Sequence, residues 1–263
     1  MTLVHAVILA IIEGLTEFLP ISSTAHMKIT DYLIGIPETP FRNLYEIIVQ
    51  LAAILAVVLL YWKKFFDFKN IRFYIKLIIA VIPALFFGAL LKKHIDSMLS
   101  NLAFIALVMI AGGVILLFAD KLFTKNKIDT DEKIDNIAAL KIGFFQVLSI
   151  LFPGLSRSAA TIIGGMSIGL TKKTAAEFSF FLAVPTMLAA SAKSTLDVIQ
   201  EGSVHFGTNE IIVMAVGCFI SFLVALAAVK SFIEFIQKFG FRFFGIYRIL
   251  VGSLILLLLT LHP

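Results

Sequence analysis

Glu13 and Glu17 stand four residues apart in the run Ala6-Val-Ile-Leu-Ala-Ile-Ile-Glu13-Gly-Leu-Thr-Glu17-Phe-Leu-Pro20-Ile-Ser22-Ser23-Thr-Ala-His26, which otherwise reads as membrane. An ionised carboxylate at membrane depth costs several kcal/mol, about 2.5–3.5 even on the mildest insertion scales, so it marks function by default. Residues at i and i+4 share one helix face. Like charges there repel unless a cation or a shared proton relieves them. Pro20 then breaks the helix, and a hydroxyl cluster with His26 follows. The alternatives are a signal peptide or an amphipathic surface helix. A signal peptide wants a basic start and a charge-free core, and this segment has neither.

A second polar cluster lies half a chain away, in Phe152-Pro153-Gly154-Leu155-Ser156-Arg157-Ser158-Ala-Ala-Thr161. An arginine at a break in an apolar hairpin needs a partner, and its planar fork suits phosphate or carboxylate. Ser156, Ser158 and Thr161 place hydroxyls around it. The residues after Gly154 should open a helix with Ser156 as its cap. A helix start offers free N–H groups and a positive dipole end to an anion. The competing reading is a structural ion pair between Arg157 and Glu13 or Glu17, which would leave the hydroxyls idle. Brought together, the two clusters form a site for metal-assisted phosphoryl chemistry. Paired acids bind hard divalent cations with substrate phosphates completing the shell. Arginine and helix starts stabilise a transferring phosphoryl group. A hydroxyl beside a carboxylate or histidine is an activatable nucleophile. Glu13 and Glu17 are therefore the candidate metal ligands, and a phosphate carrying a lipid tail is the natural substrate at this depth.

The elements that must position these residues follow from hydropathy. Of the 263 residues 60% are hydrophobic, and the mean hydropathy is +1.01. Soluble domains average about 45–50% apolar, so the chain is an all-α polytopic membrane protein and a single integral domain. The net charge of +5 does not indicate nucleic-acid binding, because cytoplasmic Lys and Arg give a membrane protein the same excess. The single cysteine, Cys218, lies in an apolar run and reads as a buried inert thiol. Six segments suffice to span at about 20 residues each; they lie near 43–62, 71–91, 101–119, 175–194, 210–229 and 243–261. Two apolar regions, 3–35 broken at Pro20 and 138–170 broken at Pro153-Gly154, have halves too short to span. Irregular backbone at membrane depth must be buried in protein or line a wet cavity, so both read as re-entrant helical hairpins.

The two hairpins also read as copies. Glu13 to Ser23 matches Gln146 to Ser156, with one extra residue after the proline, and Glu46 and Leu51-Ala52 match Glu177 and Leu182-Ala183. The order is a broken hairpin and three spans, twice: repeat one about 1–119, a cytoplasmic connector about 120–137, repeat two about 138–263. Three spans per half is an odd number, so the second half enters inverted, as in folds whose sites form from broken helices at a repeat interface. Loop charge agrees. The loop after the first span holds Lys63, Lys64, Lys69 and Arg72 against Asp67; its mate after the fourth span holds Lys193 against Asp197, Glu201 and Glu210. Lys92 and Lys93 fall outside and count against this orientation.

The two clusters resemble a known family. Glu13-Gly-Leu-Thr-Glu17-Phe-Leu-Pro-Ile-Ser-Ser23-Thr-Ala-His26 is similar to the first signature of bacterial undecaprenyl pyrophosphate phosphatases of the bacitracin-resistance type, and Pro153 to Thr161 to their second, Pro-Gly-x-Ser-Arg-Ser-x-x-Thr. The resemblance covers the whole chain, with small departures at Ala25 and Ala159 where the family often has glycine. It implies hydrolysis of a C55 isoprenyl diphosphate to the monophosphate and inorganic phosphate, recycling the carrier for cell-wall synthesis. It further implies a divalent cation, Mg2+ or Ca2+, and a site open to the outer face of the bacterial inner membrane. By that resemblance Glu17 is base or metal ligand, Ser23 the nucleophile and Arg157 the phosphate clamp, with Glu13 and His26 assisting. Serine, histidine and water all stay open as the attacking group. Ser22, Ser156, Ser158 and Thr161 would bind substrate. Gln50 and Gln146 either line the site or act as interhelical glue. A lipid-phosphate transporter using the same residues for binding alone is the competing function, and monomer and homodimer are both open. His5, His94, His205 and His262 lie at segment ends or in loops and show no metal spacing.

Overall fold

The computed structural model describes residues 1–124, 126–201, 204 and 207–261; His205 and His262 lie outside them. The chain forms α1 (Leu3–Thr16), α2 (Ser23–Ile34), α3 (Pro40–Leu60), α4 (Trp62–Phe65), α5 (Ile71–Leu90), α6 (Lys92–Leu99) and α7 (Leu102–Leu122). After a short 3-10 turn at Asp131–Lys133 come α8 (Asn136–Leu151), α9 (Arg157–Ser167), α10 (Lys172–Glu201), α11 (Thr208–Phe239) and α12 (Arg242–Leu261). Among the described residues six helices, α3, α5, α7, α10, α11 and α12, are long and apolar enough to cross a membrane. The chain is a multi-pass membrane protein. The six helices match the expected spans, with α11 running ten residues further to Phe239. The helical pairs α1/α2 and α8/α9 occupy the two interrupted regions.

Each break has the same local cause. A proline, Pro20 or Pro153, cannot continue the preceding helix. The chain then turns and restarts on a serine cap. Ser22 has φ 72° and accepts from the Ala25 N–H; Ser156 has φ 73° and accepts from the Ala159 N–H. Both serines hold a positive φ that L-residues rarely adopt, a conformation costing about 1–3 kcal/mol and concentrated at functional sites. The two caps are equivalent, which places the extra residue of the second cluster between Pro153 and Ser156.

The packing crosses the halves. α1 lies against α11 and α8 against α5, while α3 crosses α10 and α7 pairs with α12. Close approach is possible because the contacts fall on small residues. A Cβ on Gly14 of α1 would stand 2.6 Å from the Ser221 carbonyl oxygen of α11, and one on Gly143 of α8 would stand 3.0 Å from the Ala80 carbonyl carbon of α5. Apolar side chains of both halves, among them Phe18, Val57, Phe180, Phe181 and Phe232, share one core. The connector is pinned to one end of the bundle. Lys64 pairs with Asp131, Lys76 Nζ donates to the Asp131 carbonyl at 2.8 Å, and Ile128 exchanges backbone bonds with Gly169 and Thr171. Lys172 and the Phe241 N–H meet Asp120 at the same end.

Candidate active site

Glu17 is the meeting point of the two breaks. It follows the last turn of α1, with its N–H still bonded to the Glu13 carbonyl. Its Oε2 accepts from the Ser23 hydroxyl at 2.6 Å and from the Gln50 amide at 3.2 Å. Its Oε1 accepts from Arg157 Nη2 at 2.7 Å, across 140 residues of chain. Ser23 and Arg157 are thus the first helical residues of α2 and α9, and each reaches the same carboxylate. Arg157 also donates to the Ser179 carbonyl at 3.3 Å and lies over the Phe18 ring, its Cζ 5.9 Å from the centroid. Its Nε has no hydrogen-bond partner among the described residues.

These groups line a cavity of about 210 Å3 whose walls include Glu17, Ser22, Ser23, Thr24, Gln50, Ser156 and Arg157. Two helix starts therefore face one space. Both bring positive dipole ends and free N–H groups to any anion there. The lining also includes apolar residues, Ile95 and Leu99 of α6, Ile150 of α8 and Met187 of α10. A lining of polar and apolar residues suits a charged head with a hydrocarbon tail. A second cavity of about 160 Å3 adjoins the first across Ser23, Thr24 and Gln50, and is lined further by Glu13, Lys28 and Glu46. Glu13 is buried beside Glu17, and its Oε1 has no partner among the described residues.

The structure thus brings together Glu17, Ser22, Ser23, Gln50, Ser156 and Arg157, with Glu13 one layer behind. Four other expected residues point elsewhere. Ser158 is fully buried; its hydroxyl donates to the Leu19 carbonyl at 2.8 Å and meets Ser156 Oγ at 2.9 Å, tying one break to the other. Thr161 bonds back to the Arg157 carbonyl and to Ser179 Oγ at 2.7 Å, so it anchors α9 to α10. Gln146 is buried and bonded to Thr186 at 3.3 Å, which makes it glue between α8 and α10. His26 lies outside the cavity walls. Its Nδ1 meets the Ser22 carbonyl at 2.7 Å, its Nε2 meets the Tyr247 hydroxyl at 2.8 Å, and the two rings stack with centroids 5.6 Å apart. The Ser22 carbonyl can only accept, so Nδ1 donates to it, and in the neutral imidazole Nε2 accepts from Tyr247.

Sequence reasoning missed Thr24 and Ser149 in the cavity wall and Arg248 behind it. Arg248 lies within the apolar α12, in its second turn, after Arg242 at its start. Lys28, Asp31, Glu38, Arg42 and Glu46 form a separate ion-pair cluster around the buried Arg42. That cluster fixes the start of α3 against α2. Glu46 accepts from Arg42 at 2.6 Å, in keeping with a structural role.

The family model described as bacitracin resistance protein BacA matches residues 6–254. The chain belongs to the BacA family. It is similar to proteins named undecaprenyl-diphosphatase. The one from Flavobacterium johnsoniae is 46% identical, covering 100% of this chain and 98% of its own. The one from Porphyromonas gingivalis is 44% identical, covering 98% and 97%. A more distant one, from Clostridium tetani, is 40% identical, covering 97% and 96%. The BacA match spans both halves, so the breaks at Pro20 and Pro153 both lie inside it.

Proposed function

We propose that this chain hydrolyses undecaprenyl diphosphate to undecaprenyl phosphate and inorganic phosphate, recycling the lipid carrier of cell-wall synthesis and giving bacitracin resistance. The observation that carries the reading is the Ser23 hydroxyl 2.6 Å from Glu17, with Arg157 on the same carboxylate, in a cavity walled by two helix starts. Binding alone requires no hydroxyl poised against a base, which argues for hydrolysis over transport.

The roles follow from contacts. Arg157 and the N-terminal N–H groups of α2 and α9 take the terminal phosphate. Ser22 and Ser156 hold those helix starts in place, and Gln50 orients Glu17. Glu17 accepts the Ser23 proton as Oγ attacks the terminal phosphorus. The anhydride P–O bond breaks and the lipid monophosphate leaves. Glu17 passes that proton to the departing lipid phosphate oxygen. Water then attacks the phosphoserine, Glu17 accepting its proton and returning it to Ser23 Oγ as the Oγ–P bond breaks, and inorganic phosphate departs. A divalent cation, Mg2+ or Ca2+, fits Glu13 and Glu17. Glu13 has an uncommitted buried oxygen, and no group of three His, Cys, Asp or Glu suited to holding an ion occurs among the described residues. A two-carboxylate shell completed by diphosphate oxygens is the usual hard-cation arrangement at such sites. When bound, the ion would draw negative charge off the diphosphate. Phosphate release from detergent-solubilised undecaprenyl diphosphate by the purified protein tests the activity, with chelator and added Mg2+ or Ca2+ testing the ion. Absence of release with either ion present would reject the enzyme reading; lipid movement in vesicles without release would replace it by transport.

The two halves, 1–119 and 138–263 about a cytoplasmic connector at 120–137, read as an inverted repeat in the bacterial inner membrane. Matched caps at Ser22 and Ser156 and the crossed packing of α1 on α11 and α8 on α5 support this. Lys63, Lys64, Lys69 and the connector lie at one end of the bundle, while α6, which walls the cavity, follows the other end of α5. Under the positive-inside rule the cavity then opens outward. Lys69 and Asn209 are both exposed. Single cysteines there, in a Cys218→Ala background, should react with an impermeant thiol reagent from opposite sides; labelling of both from one side would remove the inversion.

A further inference from the structure

Arg248 is fully buried in the second turn of the membrane helix α12. None of its hydrogen bonds among the described residues ends on a carboxylate; all four end on backbone carbonyls. Nη1 donates to Pro20 at 3.1 Å and to Leu155 at 2.8 Å, Nη2 to Gly154 at 2.8 Å, and Nε to Met109 of α7 at 3.1 Å. One guanidinium thus satisfies carbonyls from both broken hairpins at once. Those carbonyls belong to turns that lost helical bonding at their prolines, and unpaired buried carbonyls are costly. Gly112 of α7 makes room for it, since a Cβ there would stand 3.0 Å from Arg248 Cζ.

We propose that Arg248 is a positioning residue for the hydrolysis: by clamping Pro20, Gly154 and Leu155 it sets the two helix starts in register, so that Ser23 and Arg157 both meet Glu17. Arg248 is absent from the cavity wall, whereas Gly154, Ser22 and Ser156 form part of it, so it acts through the backbone and not on the substrate. The clamp needs a planar fork with several donors at fixed angles, which lysine lacks although it keeps the charge. The proposal rests on the phosphatase reading above.

The test is steady-state phosphate release from undecaprenyl diphosphate by wild type, Arg248→Lys and Gly112→Ala, each shown to be monodisperse and helical. Arg248→Lys is expected to lower kcat about 10- to 100-fold while KM stays within about threefold, the pattern of a lost transition-state arrangement with substrate binding retained. Gly112→Ala keeps the guanidinium but pushes it off its carbonyls, so it is expected to show the same split more mildly, and it decides the matter if Arg248→Lys does not fold. A folded Arg248→Lys with kcat within twofold of wild type, or with its loss in KM alone, would overturn the proposal. An inactive wild type would instead remove the phosphatase reading, and the proposal with it.

Discussion

Glu17→Gln is expected to lower phosphate release by about 10²-fold or more, the scale on which single electrostatic groups act at such sites. Glutamine keeps the shape of the side chain and can still accept from Gln50 or Ser23. It cannot hold a proton taken from Ser23, and it loses the charge that holds Arg157 at 2.7 Å. Arg157→Lys is expected to fall by a similar factor for the complementary reason. A lysine ammonium lacks the planar fork, whereas the guanidinium spans Glu17 and the Ser179 carbonyl at once. Removing either partner of this pair leaves a charge in a largely buried site, so a fold check by size exclusion accompanies the assay. If the ion pair were only a strut between hairpins, the folded variants would retain near-normal release. That result would take both residues out of the chemistry.

The legible part of this protein is the part written in strong local signals. Runs of about 20 apolar residues mark spans, and Pro20 and Pro153-Gly154 mark where two apolar runs must stop. Ser23 and Arg157 are the first helical residues after those stops, and both reach Glu17. Direction failed as a guide one turn further on. His26 and Thr161 lie three and four residues into their helices, and their side chains turn to Tyr247 and Ser179 instead. Gln50 and Gln146 look alike in sequence, yet one reaches Glu17 and the other reaches Thr186, because α3 and α8 present different faces to the cavity. Arg248 was hidden for another reason. It sits inside a helix whose hydropathy reads as an ordinary span, and its partners are carbonyls, which carry no sequence signal at all.

Ser23→Ala is expected to abolish turnover while leaving binding of the lipid diphosphate largely intact. The hydroxyl contributes little to holding the substrate, since Arg157, the two helix starts and any bound cation remain. In the proposed route it supplies the nucleophile, hydrogen-bonded to the proposed base. Ser22→Ala should be milder in kind. It removes the cap on the Ala25 N–H, and losing such a cap costs about 1 kcal/mol of stability; the attacking oxygen stays. His26→Ala should slow the reaction without preventing it, because the ring acts on the Ser22 carbonyl from outside the cavity. The covalent route has its own signature: a phosphoserine trapped by rapid acid quench, present in wild type and missing in Ser23→Ala. Full activity of Ser23→Ala would reject serine as the attacking group. Hydrolysis in ¹⁸O-water under single turnover does not by itself separate the routes, since water delivers oxygen to phosphate in both. The separation comes from the quench together with His26→Ala: label appearing in phosphate with no phosphoserine at any time, and turnover surviving in His26→Ala, would assign the attack to water held by Glu17, whereas activity lost only in His26→Ala would move the role to histidine.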